Sequence, residues 1–153
     1  MMIRLEHANL VVQQIQPTLN FLKVAFPHWH VRGEGDMTWK RGALEVERHW
    51  LHFGNDDYYL TLNSNADAPM RDLNGNQAGL AHLGFVVDDL DALEQRLAEA
   101  GFVPAIVGQP HPYRKTLYYN EPGGAQFEFM QYLSEEPQQR NLYGGEQGTF
   151  KRN

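Results

Sequence analysis

Cysteine is absent from this 153-residue chain. That excludes disulfides, thiolate metal ligands and cysteine nucleophiles together. No apolar run approaches the roughly 20 residues needed to span a bilayer. The opening Met-Met-Ile-Arg-Leu-Glu-His is too short and too charged for a secretion signal, so a cytoplasmic protein is expected. Positive charge is scarce as well: 13 Lys and Arg stand against 19 Asp and Glu, a net charge of −6, with no basic stripe. Nucleic acid and membrane are therefore not expected as partners. What remains is a globular composition, 42% hydrophobic and 12% aromatic, long enough for one domain or two packed half-domains with a real core.

The chain also repeats itself. His7-Ala-Asn-Leu-Val-Val-Gln-Gln-Ile returns 75 positions later as His82-Leu-Gly-Phe-Val-Val-Asp-Asp-Leu, and the same offset relates Leu22 to Leu97 and Ala25 to Ala100. A repeat at a fixed offset marks a duplicated supersecondary unit. In the first copy, residues 3–12 alternate as a strand, with Leu5, His7, Asn9 and Val11 on one face. Pro17 and Thr18 open a helix carrying Leu19, Leu22 and Phe26 at helical spacing. A strand resumes at Trp29–Arg32 and is expected to turn at Gly33–Asp36; 44–53 and 58–62 form a hairpin about Gly54–Asp57. In the second copy, strand 80–87 leads to a helix from about Leu90 to Ala100, with Asp88 or Asp89 as N-cap and Gly101 as stop. Strands come next at 102–106, 116–120 and 125–132. Each copy thus reads β-α-β-β-β.

The expected organisation is a single domain: module 1 at about 3–63, a polar linker at 64–79, module 2 at about 80–133 and a tail at 134–153. The tail lacks apolar periodicity, which leaves disorder or docking against a partner subunit open. The fold class is α+β, two tandem βαβββ modules pairing into a curved, partly closed mixed sheet around a pocket.

Three residues carry the candidate chemistry: His7, its repeat partner His82, and Glu128 on the last strand. Taken singly, each has an ordinary reading as a sheet residue. Alternation sets Glu128 opposite Phe127 and Phe129, and a carboxylate on a covered face is costly unless it is paired or bound to a cation. Two imidazoles and one carboxylate are the donor set of a facial triad on a divalent metal. His49 and His52, three apart on one strand, face opposite ways and cannot jointly chelate.

The two opening strands, both helices and the closing Glu-Pro-Gly-Gly-Ala-Gln-Phe-Glu-Phe segment resemble the glyoxalase/bleomycin-resistance/extradiol-dioxygenase group, the vicinal oxygen chelate superfamily, over residue 3 to about 133. The resemblance implies paired βαβββ modules around one divalent ion (Fe, Mn, Ni, Co or Zn), held by His7, His82 and Glu128. Thr61 falls where glyoxalase I-like members carry a fourth ligand, and threonine supplies no carboxylate base, so lactoylglutathione lyase activity is not expected. Candidate pocket residues are His52, Tyr59, Thr61, Arg114 and Tyr119, with Arg114 suited to an anionic group. The implied function is a metal-dependent lyase, isomerase or dioxygenase acting on a small oxygen-bearing molecule, in a homodimer. The alternative is a non-catalytic small-molecule binding or resistance protein of the same fold.

Overall fold

A computed structural model describes residues 3–143. The chain divides into two compact units. One runs to Gln77 and takes in Glu121–Gly124; the other comprises Ala78–Asn120 and the chain from Ala125.

The first unit contains β1 (His7–Val11), α1 (Ile15–Ala25), β2 (His30–Arg41), β3 (Leu44–Gly54) and β4 (Tyr59–Asn63). Its four strands form one mixed sheet in the order β1-β4-β3-β2, with β1 parallel to β4 and the other pairs antiparallel. Alternation sorts the two faces. Leu10, Leu51, Phe53, Leu60 and Leu62 are buried on one, and the stripe Leu19, Phe21, Leu22 and Ala25 of α1 is buried with them. Trp29, stacked on Phe26 and tilted against Phe53, ties the helix end to β3. Each such leucine contributes about 1.5–3 kcal/mol by leaving water.

One expectation fails here. The chain does not turn at Gly33–Asp36; β2 continues to Arg41, and the reversal comes at Gly42, whose φ is 60°. The glycines serve a neighbour instead. Gly35 lies under the indole of Trp50, where a Cβ would stand 3.1 Å from the ring nitrogen.

The second unit repeats the plan with β5 (Leu83–Val86), α2 (Leu90–Glu99), β6 (Ile106–Val107), β7 (Arg114–Asn120) and β8 (Gln126–Tyr132). The sheet order is β5-β8-β7-β6, again with the first pair parallel. Asp89 caps α2 by accepting from Ala92 N–H at 2.9 Å, and Gly101 ends it with φ 87°. Leu90, Leu93 and Leu97 are buried, as are Leu117, Tyr119, Phe127 and Phe129 on the sheet. The strand expected at 102–106 is reduced to two paired residues, Ile106–Val107. After β8 comes a short helix, α3 (Pro137–Arg140), and the chain then folds back on its own unit. The Leu142 carbonyl accepts from His111 Nε2 at 2.9 Å and from the Arg114 guanidinium. Residues 144–153 of the tail lie outside the described residues. Among the described residues no helix is long and apolar enough to cross a membrane.

The protein is thus α+β, with two βαβββ modules each built on a four-stranded mixed sheet. The register is also repeated. Asn9 pairs with Thr61 across β1–β4, and Gly84, its 75-residue counterpart, pairs with Glu128 across β5–β8. Thr61 and Glu128 are equivalent positions.

Candidate functional site

In the second unit the two faces of β8 divide the chemistry. Phe127 and Phe129 point into the core, and Glu128 points away from it. His82 sits at the mouth of β5, and its Nε2 lies 3.0 Å from Glu128 Oε2. Tyr118, opposite Glu128 in the β7–β8 register, donates its hydroxyl to Oε1 at 2.8 Å. Burial, reinforced by the carboxylate it serves, pushes the Tyr118 phenol up to about 12. It is therefore a proton-bearing donor at any physiological pH. The Tyr118 ring also meets His82 edge-on at 5.5 Å. Gly84 leaves the carboxylate room: a Cβ there would lie 3.5 Å from Oε2. The Glu128 side chain is 13% exposed and that of His82 37%, so the acid is tucked behind the imidazole.

In the first unit the face turned away from the core carries His7, Asn9, Thr61, His52 and Trp50 in register. His7 Nδ1 is held 2.9 Å from Glu6 Oε2, and its ring stacks on Tyr59 at 4.8 Å and 15°. His52 meets Tyr59 at 4.7 Å, and Trp50 meets His52 at 5.0 Å. The Arg32 guanidinium stands 4.5 Å over the Tyr59 ring. Burial first, then the charges of Arg32 and His7, holds His52 below the ordinary imidazole value. Thr61 is buried at the centre of this face, beside an amide pair in which Asn63 donates to Asn9 at 2.8 Å.

The sequence-derived candidates therefore fall into two groups. His82 and Glu128 meet in the second unit; His7, His52, Tyr59 and Thr61 share one face of the first. Two candidates are placed elsewhere. Tyr119 is buried on the core side of β7, because Tyr118 is the residue in register with Glu128. Arg114 shares the Glu128 face but is engaged by the Leu142 carbonyl and the Tyr143 ring. Glu6, Arg32, Trp50 and Tyr118 do not emerge from the sequence. A fixed β7–β8 register would yield Tyr118 by alternation, whereas nothing in the sequence signals Arg32. Among the described residues, no three His, Asp or Glu side chains are gathered so as to hold a metal ion.

A family profile described as the glyoxalase/bleomycin resistance protein/dioxygenase superfamily matches residues 4–129. The chain belongs to that superfamily. No curated protein matches it significantly. Its fold is that of solved superfamily members at low identity. A glyoxalase family protein from Bacillus cereus has a TM-score of 0.69 at 15% identity, over 88% of this chain and 97% of that one. A glyoxylase/bleomycin resistance protein/dioxygenase domain from Frankia sp. EAN1pec has a TM-score of 0.66 at 21% identity, over 93% and 100%. A genomically encoded fosfomycin resistance protein from Listeria monocytogenes has a TM-score of 0.59 at 15% identity, over 92% and 97%. The superfamily includes metal-dependent enzymes and resistance proteins, and divalent metals are common among its members.

Proposed function

We propose that the protein is a divalent-metal-dependent enzyme of the lyase, isomerase or dioxygenase type, acting on a small oxygen-bearing molecule, with His7, His82 and Glu128 as the metal ligands. The observation that carries this reading is the His82–Glu128 pair. Two ligands bound at right angles to one cation, each at about 2.1 Å, lie about 3.0 Å apart, and His82 Nε2 and Glu128 Oε2 stand 3.0 Å apart. The donor set fits in a second respect. Glu6 holds His7 through Nδ1, the arrangement that fixes the tautomer and leaves Nε2 for a cation.

A bound divalent ion would supply Lewis-acid polarisation of adjacent substrate oxygens. The chain's own residues position the ligands and handle the proton. Tyr118 fixes the rotamer of Glu128 by its hydroxyl, and Glu6 fixes that of His7. His52, held neutral, has a ring nitrogen able to accept a proton, which Thr61 cannot do. The absence of a carboxylate at 61 argues against lactoylglutathione lyase chemistry. The reading includes a cytoplasmic homodimer, the state common among small paired-module members of the superfamily.

The test is metal content. Protein incubated in turn with Fe, Mn, Ni, Co and Zn and then desalted should retain close to one equivalent of one of them per chain, and His82→Ala should lose most of it. Wild-type protein that stays metal-free would overturn the enzyme reading in favour of the non-catalytic binding or resistance protein. Counting per chain gives the same answer whether one chain or two paired chains supply the three groups.

A further inference from the structure

The first sheet carries a built feature of which the proposed metal binding uses only the His7 end. Trp50, His52, Tyr59 and His7 form a continuous row of rings on the face turned away from the core, at centroid spacings of 5.0, 4.7 and 4.8 Å. All four are partly open to solvent. Neighbouring rings become more nearly parallel along the row, the angle between them falling from 57° to 31° to 15°. Its floor is made for it. Trp50 lies over Gly35, where a Cβ would come within 3.1–3.2 Å of three indole atoms. Real Cβ atoms seldom approach so close, so a side chain at 35 would press the indole out of place by a few tenths of an ångström.

The charge beside the row is also placed by a specific device. Gly33 pairs with His52 and shares its face, so strict alternation would send Arg32 to the opposite, helix-covered side. The β2–β3 register shifts between Val31 and Gly33, and the irregularity brings the Arg32 guanidinium over Tyr59. Bulges beside functional sites are used to re-aim a side chain in this way. None of the ion pairs among the described residues uses Arg32. A planar cation standing over one ring of the row selects for a ligand with a flat apolar body and an anionic end.

We propose that this face binds a flat aromatic carboxylate, its ring laid along the Trp50–His52–Tyr59–His7 row and its carboxylate on Arg32. The proposal names the ligand class of the site proposed above, and rests on that reading only for the claim that binding here serves a reaction. It excludes a long aliphatic acid, which the rings would not distinguish from solvent-exposed chain, and a neutral sugar, which would leave Arg32 unmatched.

The full-length, isotope-labelled protein is titrated with 2-naphthoate, with neutral 2-naphthamide and saturated decalin-2-carboxylate as controls, first metal-free and then metal-loaded, monitoring backbone and indole shifts. The naphthoate should bind about tenfold more tightly than the neutral amide, the margin of one charge-assisted contact, and more tightly than the saturated acid, which keeps the charge and lacks the flat ring. Arg32→Gln, an exposed and non-disruptive change, should abolish the preference for the acid over the amide and leave amide affinity unaltered. His52→Leu should weaken both flat probes and spare the saturated acid. Equal affinity for the flat and saturated acids, or an Arg32→Gln protein that keeps its preference, would overturn the proposal. The metal reading fails separately: discrimination by a protein that holds no metal keeps this inference and removes that one, and a metal-loaded protein without discrimination does the reverse.

Discussion

Tyr118 touches Glu128 and nothing it could itself transform, so its contribution is to hold the acid still. Tyr118→Phe removes the hydroxyl that donates to Oε1 and leaves the ring, the strand and the His82 edge contact in place. Calorimetric titration with zinc or cobalt should show affinity lower by about 10–100-fold, the usual effect of losing a partner that orients a metal ligand. An unchanged isotherm would mean that Glu128 needs no such support or binds no metal. A second residue, His49, gives a pH signature of its own. His49 Nδ1 is 2.9 Å from Asp36, and Nε2 is 3.6 Å from Glu34. The hydrogen bond to Asp36, against a smaller opposing effect of burial and with help from Glu34, raises its pKa above 6.5. A raised histidine stabilises the fold fully below its ordinary value and loses that contribution as pH climbs through the raised one. The stability difference between wild type and His49→Gln should therefore shrink from pH 6 to pH 8, and Asp36→Asn should return the imidazole titration seen by NMR toward 6.5. At this scale the sequence is legible where a repeat or an alternation acts on its own. His82 emerges from the repeat and Glu128 from the alternation. Tyr119 stands in for Tyr118 in a reading of sequence alone because one step of register separates core from open face, and only the pairing with β8 decides it. Arg32 is beyond reach, because a bulge reverses the alternation by which strand residues are sorted.

The element that departs most from expectation is β2. Gly33-Glu-Gly-Asp has the composition of a turn, yet it lies mid-strand because the glycines accommodate Trp50 from the neighbouring strand. Composition records that a small residue is required and is silent about whether a turn or a partner requires it. The helices are more legible: Asp89 and Gly101 cap and stop α2 as their types suggest, and apolar spacing marks both buried stripes. The stretch at 102–106 reads as a strand from its Val and Ile, but only its end finds a partner on β7. The turn at Gly54–Asp57, which sequence and structure share, offers a stability test. A Cβ on Gly54 would stand 2.1 Å from the Tyr58 carbonyl oxygen and 2.5 Å from Tyr59 Cα. Backbone cannot yield as a flexible side chain does, so Gly54→Ala should lower unfolding free energy by at least the roughly 1–3 kcal/mol of an overpacked core site. Urea unfolding should show an earlier midpoint with an unchanged slope; a midpoint within error of wild type would refute the close approach.

For the whole molecule, the internal repeat is the feature that makes the fold readable, since two copies of one pattern constrain topology more tightly than either does alone. Sedimentation should give a mass twice the 17.6 kDa of the chain, and a monomer at micromolar concentration would remove the homodimer from the proposed function. The equivalence of Thr61 and Glu128 gives the repeat a further meaning. The two halves share a scaffold and differ in what it carries. The later half holds an acid and an imidazole braced by a phenol; the earlier sets a small hydroxyl at the matching place among flat rings. One backbone plan thus serves two unlike surfaces, and position 61 is where they could be made alike: a carboxylate installed there would give both halves the same acid at the expense of the ring-lined surface.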